Sequence, residues 1–195
     1  MSKTIVKSVS LNLKDNTLTI NACQSNESPR EYESFTQSFK DKESLKARLV
    51  AFFQGVNDGD VVFTPSCTSK LFFIYQLYFF KLYEKGVNVV DNTDWLPELV
   101  DSIINDFNLN FKDQNEYLVT GLSQDNQGVV AGRPKLATRF NFIEVKKSAN
   151  KYYGDDLLTK KQVLSSYFRM NKLLALISAN VLIKSGYTGV KVIHV

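Results

Sequence analysis

Three aspartates stand where chemistry would need them. Asp60, Asp91 and Asp94 bracket neighbouring apolar runs, and carboxylates at aligned strand ends can hold a magnesium ion for nuclease or phosphoryl-transfer work. Turn formation and helix capping account for the same residues without chemistry, and Asp94 already fits an N-cap. The chain has one histidine, His194, and two cysteines, Cys23 and Cys67. That set is too small for a structural zinc and leaves His194 as the only base for a Ser-His-Asp or Cys-His arrangement. The segment Thr64 to Ser69 is expected to join a strand to a helix, where hydroxyls and free N–H groups suit a phosphate. It lacks the Gly-rich, Lys-Ser/Thr pattern of a P-loop. No arginine follows Cys67 at a distance that would serve a phosphatase, so a buried, inert thiol is expected there. No catalytic residue, cofactor or metal ligand is assigned on these grounds, and a non-enzymatic protein is expected.

The richest stretch is Arg133 to Tyr153. It holds six Lys or Arg residues against one acid, Glu144, with four aromatic rings among them. Cations that meet phosphates, alternating with flat rings on which bases stack, are the minimum apparatus for holding a single nucleic-acid strand. Arg133, Lys135, Arg139, Lys146, Lys147 and Lys151 are the candidate phosphate contacts. Tyr152 and Tyr153 follow a polar turn and are the candidate stacking platforms, with Phe140 and Phe142 able to fill the core instead. Flexible Gly128 to Gly132 would close over the strand.

Charge is distributed unevenly along the chain. Residues 1–132 carry 12 basic and 17 acidic side chains, whereas residues 133–195 carry 12 basic and 3 acidic, within a formal net charge of +4. Such a field favours a polyanionic partner on the side built by the C-terminal third. A solvated basic face without a partner is the plainer alternative. The composition, 44% apolar and 23% charged, is that of a globular protein, and 195 residues favour one domain. The expected organisation is a mixed-sheet core over 1–122, a mobile loop over 123–136, and a basic strand, long helix and final strand over 137–195. No signal peptide is legible and both cysteines are expected as thiols, which fits a reduced cytoplasmic setting. The most apolar run, Leu71 to Tyr83, falls short of the roughly 20 residues of a membrane span.

The elements that must position these residues follow from periodicity. Ile5 to Leu13 alternates like a half-buried strand, with Lys7 as the exception, and turns at Asp15-Asn16 into Thr17 to Ala22 to make a hairpin. Glu31 to Phe39 is a third strand. Asp41 caps a helix with Leu45, Leu49, Phe52, Phe53 and Val56 on one face, ending at Gly55. Val61 to Phe63 is a buried strand, and Ser69 to Lys85 a helix whose rings are core. Val87 to Val90 is the next strand; Asp94 caps a helix through Phe107; Tyr117 to Thr120 is the strand after it. This βαβαβ run predicts a partly parallel sheet. Ser123 to Gly132 reads as a loop, and Lys135 to Lys147 as a strand. Thr159 opens a long helix by a capping box to Gln162 and runs through Ile183. Gly186 closes it, and Val190 to Val195 ends the chain as a strand. The fold class is α/β, with α+β as the alternative.

Three strands, a helix, a strand, a helix, a strand and a helix over residues 4–107 is similar to the element order of ribonuclease-H-like domains. That resemblance implies carboxylates in the middle of the first strand and at the end of the fourth. Here Val9, Ser10 and Leu11, and Thr64, Pro65 and Ser66, occupy those places, with Glu43 alone in agreement. It therefore implies a binding relic of the fold rather than a nuclease.

The expected function is binding of single-stranded nucleic acid, DNA before RNA, with low sequence specificity, as an accessory or recruitment factor in transcription or replication. A polymerase or replication complex and further copies of the chain are the protein partners this allows; no membrane is expected. The Lys, Asn and Ser usage suits a viral or mobile-element protein. Two alternatives stand beside this reading: a metal-dependent enzyme using Asp60, Asp91 and Asp94, and an interaction subunit of a larger assembly.

Overall fold

The structure is a computed structural model that describes residues 2–26, 31–64, 67, 69–105, 116–135, 142–147 and 168–195, with residues 135 and 142–147 described by backbone alone. The chain divides into two compact units, Met1–Leu109 and Asn110–Val195. Each has its own sheet, and together they form an α/β architecture of one mixed and one antiparallel sheet.

In the N-terminal unit β1 (Thr4–Asn12) and β2 (Thr17–Gln24) form the expected hairpin. Asn16 turns the corner at φ +49°, a left-handed conformation that asparagine tolerates. Lys7, the exception to the alternation, marks a register shift between Val6 and Ser8. This β-bulge is why Ile5 and Val6 are both fully buried while Val9 resumes the core face. The third strand, β3 (Glu33–Ser38), pairs with β2 and is exposed along its whole length. The unit's last strand, β4 (Val61–Phe63), lies parallel to β1, giving the order β3-β2-β1-β4.

Helix α1 (Lys42–Asp58) is capped as its sequence predicts: the Asp41 carboxylate accepts from the Ser44 N–H at 2.8 Å. That contact holds the Asp41 carboxyl below its usual range. The helix buries Leu45, Leu49, Phe52, Phe53 and Val56. Gly55 does not end it. The helix continues to Gly59, whose φ of +81° makes the left-handed cap. Gly55 has a different reason to be small, because a Cβ there would stand 3.0 Å from Val61 Cγ2.

Helix α2 (Lys70–Glu84) starts at Ser69, whose hydroxyl donates to the Val9 carbonyl at 2.6 Å and so ties the helix to β1. Its rings are core. Phe63 stacks on Phe72 at 3.9 Å, Phe53 on Tyr75 at 5.2 Å, and Phe79 meets Trp95 edge-on at 5.9 Å. Each such pair adds about 0.5–1.5 kcal/mol beyond its buried area. Together they join α1, β4, α2 and the start of α3 (Leu96–Asn105). Two surface contacts reinforce the packing: Lys46 meets Asp101 at 2.7 Å between α1 and α3, and the Tyr78 hydroxyl donates to Glu98 at 3.2 Å between α2 and α3.

Two expectations fail here for a local reason. Val87 to Val90 is a turn, not a strand. The Asn88 side-chain oxygen accepts from the Val90 and Asp91 N–H groups at 3.3 and 3.2 Å, and its amide donates to Asp91. A side chain that closes its own turn removes the backbone from the sheet. The similarity to the ribonuclease-H-like order therefore stops after α2, and β1 with β4 supplies the parallel part of the sheet. Asp94 does not cap α3, which begins two residues later, after Trp95.

In the C-terminal unit β5 (Tyr117–Leu122), β6 (Gly128–Lys135), β7 (Phe142–Lys147) and β8 (Thr188–His194) form an antiparallel sheet in the order β7-β6-β5-β8. Tyr117 to Thr120 thus belongs to this sheet and not to a βαβαβ run with Val61 to Phe63. Gly128 to Gly132, expected in a loop, lies in β6, with Val129, Val130 and Ala131 fully buried between two neighbouring strands. Lys135 to Lys147 is not one strand: Lys135 pairs with Phe142, so β6 and β7 run antiparallel on either side of residues 136–141.

Helix α4 (Lys172–Lys184) begins at Asn171, whose side chain accepts from the Leu174 N–H at 2.8 Å. The predicted start at Thr159 lies outside the described residues. A continuous helix from there is ruled out by Phe168 to Met170, where Met170 exchanges hydrogen bonds with Tyr117 at 3.0 Å. The helix packs on β5, β6 and β8 and is apolar around its circumference. Gly186, at φ +82°, turns the chain into β8.

Candidate nucleic-acid interface

The division into units sharpens the charge asymmetry. Residues 1–109 carry 11 basic and 14 acidic side chains, net −3, and residues 110–195 carry 13 and 6, net +7. The positive field is therefore a property of the unit built on the antiparallel sheet.

Strand pairing gives that field a geometry. Lys146 on β7 pairs with Val130 on β6, Val130 with Thr120 on β5, and Thr120 with Lys191 on β8. These four positions form one row across the sheet, and cross-strand partners share a face. Three inter-strand spacings separate its ends, so the lysine backbones stand roughly 14 Å apart. Lys147 pairs with Val129 and has the opposite parity. Lys146 and Lys147 therefore belong to opposite faces of the sheet rather than to one continuous line. Gly121 identifies the face that α4 covers, because a Cβ there would stand 3.8 Å from Leu182 Cδ1. The row of Lys146 and Lys191 has the other parity.

Thr120, in the middle of that row, is 1% exposed, and its hydroxyl has no partner among the described residues. Lys191 is exposed at the row's end. Sequence reasoning passed over it because an isolated lysine between Val190 and Val192 looks like ordinary alternation. Its significance comes from the register with Lys146, which lies 45 positions away in the chain.

Arg133 has a structural task. Its Nε and Nη2 both donate to the Arg169 carbonyl, at 2.9 and 2.7 Å, fastening β6 to the turn before α4. Lys135 ends β6 opposite Phe142. Arg139, Lys151, Tyr152, Tyr153 and Phe140 lie outside the described residues.

Among the described residues, which include Asp60, Asp91 and Asp94, no group of three or more His, Cys, Asp or Glu side chains is placed to hold a metal ion. Asp91 instead accepts from Asn88, and the Asp94 N–H donates to the Asn92 side chain at 2.8 Å. In the strand-to-helix segment the Thr64 and Cys67 N–H groups are taken by the Val6 and Thr64 carbonyls, both at 2.9 Å. That leaves two fewer donors for a phosphate. Cys67 is 1% exposed and unpaired, and burial pushes its thiol up, away from the reactive thiolate. His194 pairs with Glu116 at 2.7 Å on the outer strand of its sheet.

Comparison with protein-family models, with curated proteins and with solved structures finds no match for this chain. Among the described residues no helix is long and apolar enough to cross a membrane.

Proposed function

We propose that the C-terminal unit binds single-stranded nucleic acid, DNA before RNA, without catalysis and with little sequence specificity. The observation that carries this reading is the net charge of +7 on residues 110–195 against −3 on residues 1–109. Lys146 and Lys191 at the two ends of one strand row, Lys147 on the other face and Lys151 nearby in sequence each neutralise phosphates and release counterions; the bound strand meets them at the sheet's margins, because Val130 and Thr120 between the row's ends are buried. Tyr152 and Tyr153 supply stacking, worth about 1–3 kcal/mol per base. The acidic N-terminal unit is repelled by the same strand and is left to contact other machinery. This suits an accessory or recruitment factor in transcription or replication.

The test is fluorescence anisotropy with labelled single- and double-stranded oligonucleotides of equal length at several salt concentrations. Tighter single-strand binding that falls steeply with salt is expected. Reversing Lys146, Lys147 and Lys151 to Glu together lowers affinity at least about a hundredfold at low salt without shifting the melting curve. Unchanged affinity in that variant overturns the assignment.

A further inference from the structure

An exposed strand edge offers unpaired N–H and C=O groups to another chain, and most edges carry a device that blocks it. Among the described residues the two sheets present four edges. β4 is only three residues long, β7 carries Lys146 and Lys147, and β8 carries Lys191. β3 has none of these protections. It pairs with β2 in unbroken register over six residues, without bulge or proline, and Glu33 is its one charge. From Ser34 to Phe39 the sequence has no charged residue at all. All six strand residues are exposed, and Phe35 is 59% exposed.

We propose that β3 is the surface by which two copies of this chain associate, pairing edge to edge and antiparallel about a two-fold axis through Phe35. The two four-stranded sheets then become one continuous sheet. The register follows from the side chains. A two-fold axis perpendicular to the sheet keeps each face on its own side, so partners across the axis share parity.

With Phe35 on the axis, ring meets ring, Glu33 faces Gln37 of the second copy, and Ser34 faces Thr36. No like charges oppose each other, and the ring–ring and Ser–Thr pairings are of favourable kinds. Centring the pairing on Thr36 would set Glu33 against Phe39 and separate the rings. A hollow of about 310 Å³ on the Phe35 face, bounded also by Ile20, Ala22 and Arg48, gives the paired rings room to settle against the sheet. Because each copy uses the one unguarded edge among its described strands, the association closes at two.

Sedimentation equilibrium of the full chain from about 1 to 100 μM tests this. A monomer–dimer equilibrium is expected, with no larger species. Phe35→Lys abolishes the dimer and leaves the far-UV circular dichroism unchanged, since the side chain is exposed. Gln37→Glu sets a second carboxylate opposite Glu33 at each of the two symmetric positions and weakens association about tenfold; adding Glu33→Lys to it restores the affinity. A monomer throughout the range, species beyond the dimer, a dimer indifferent to Phe35→Lys, or a double variant no tighter than Gln37→Glu alone each overturns the proposal. The nucleic-acid reading is tested by anisotropy and stands or falls separately.

Discussion

The two units solve the same packing problem with opposite surfaces. In the N-terminal unit two helices and Trp95, just ahead of a third, share a cluster of rings above a mixed sheet, and the net charge is −3. In the C-terminal unit a helix apolar on all sides lies against an antiparallel sheet, and the net charge is +7. Burial dictates the apolar residues in both. The charge is not needed by either core, and the proposed polyanionic partner would account for its separation into units.

The largest effect that would sharpen this contrast comes from Phe53→Ala. Phe53 is fully buried and stacked on Tyr75, and its loss costs about 3–5 kcal/mol. Thermal melting should show an early transition, while oligonucleotide affinity measured below that transition stays at the parent value. Loss of binding in the still-folded variant would break the division of labour.

Next in size is Lys191→Glu, which should weaken single-strand binding about tenfold at low salt and lower the slope of log affinity against log salt by about one to two. The matched reversal Lys46→Glu in the acidic unit should leave both quantities alone. An equal effect of the two would mean that nucleic acid reads the overall charge and not one unit.

Tyr75→Phe probes the aromatic core without disturbing its shape. The Tyr75 hydroxyl is buried and has no partner among the described residues, so its removal should be neutral or stabilise by up to about 1 kcal/mol. Burial, with the Asp58 carboxylate as the second cause, pushes the Tyr75 phenol above its usual value. A raised folded pKa contributes stability that is complete below the unfolded value near 10 and is lost as pH rises through the folded value. Urea midpoints between pH 7 and 11 should therefore fall more gently for Tyr75→Phe than for the parent.

The smallest expected effect is at Gly55. Gly55→Ala gains helix propensity of about 1 kcal/mol but meets Val61 Cγ2, so alone it should change stability little. Combined with Val61→Ala, the same substitution should stabilise relative to Val61→Ala alone by about 0.5–1 kcal/mol.

Local signals in the sequence carried much of the fold. Asp41 and the apolar stripe of α1 follow from spacing alone, as do the β1–β2 hairpin and the aromatic core face of α2; the end of α1 does not, since Gly55 was expected to close it and Gly59 does. Failures came where a side chain or a distant strand decided the outcome. Val87 to Val90 reads as a buried strand until Asn88 closes its own turn. Gly128 to Gly132 reads as a loop because glycines flank it, yet two neighbours enclose it in a sheet. The candidate site was legible as composition, a basic stretch with rings. Its geometry was not, since the row from Lys146 to Lys191 exists only through three strand pairings, and no spacing along the chain reveals it.

Both thiols of this protein, Cys23 and Cys67, are buried in the N-terminal unit, and the C-terminal unit has none. A thiol reagent added under native conditions therefore acts as a stopwatch for one half of the molecule. The labelling rate at each cysteine records how often the acidic unit opens, while the basic unit stays silent. Comparing that rate with and without bound oligonucleotide would show whether an event on one unit is felt by the other.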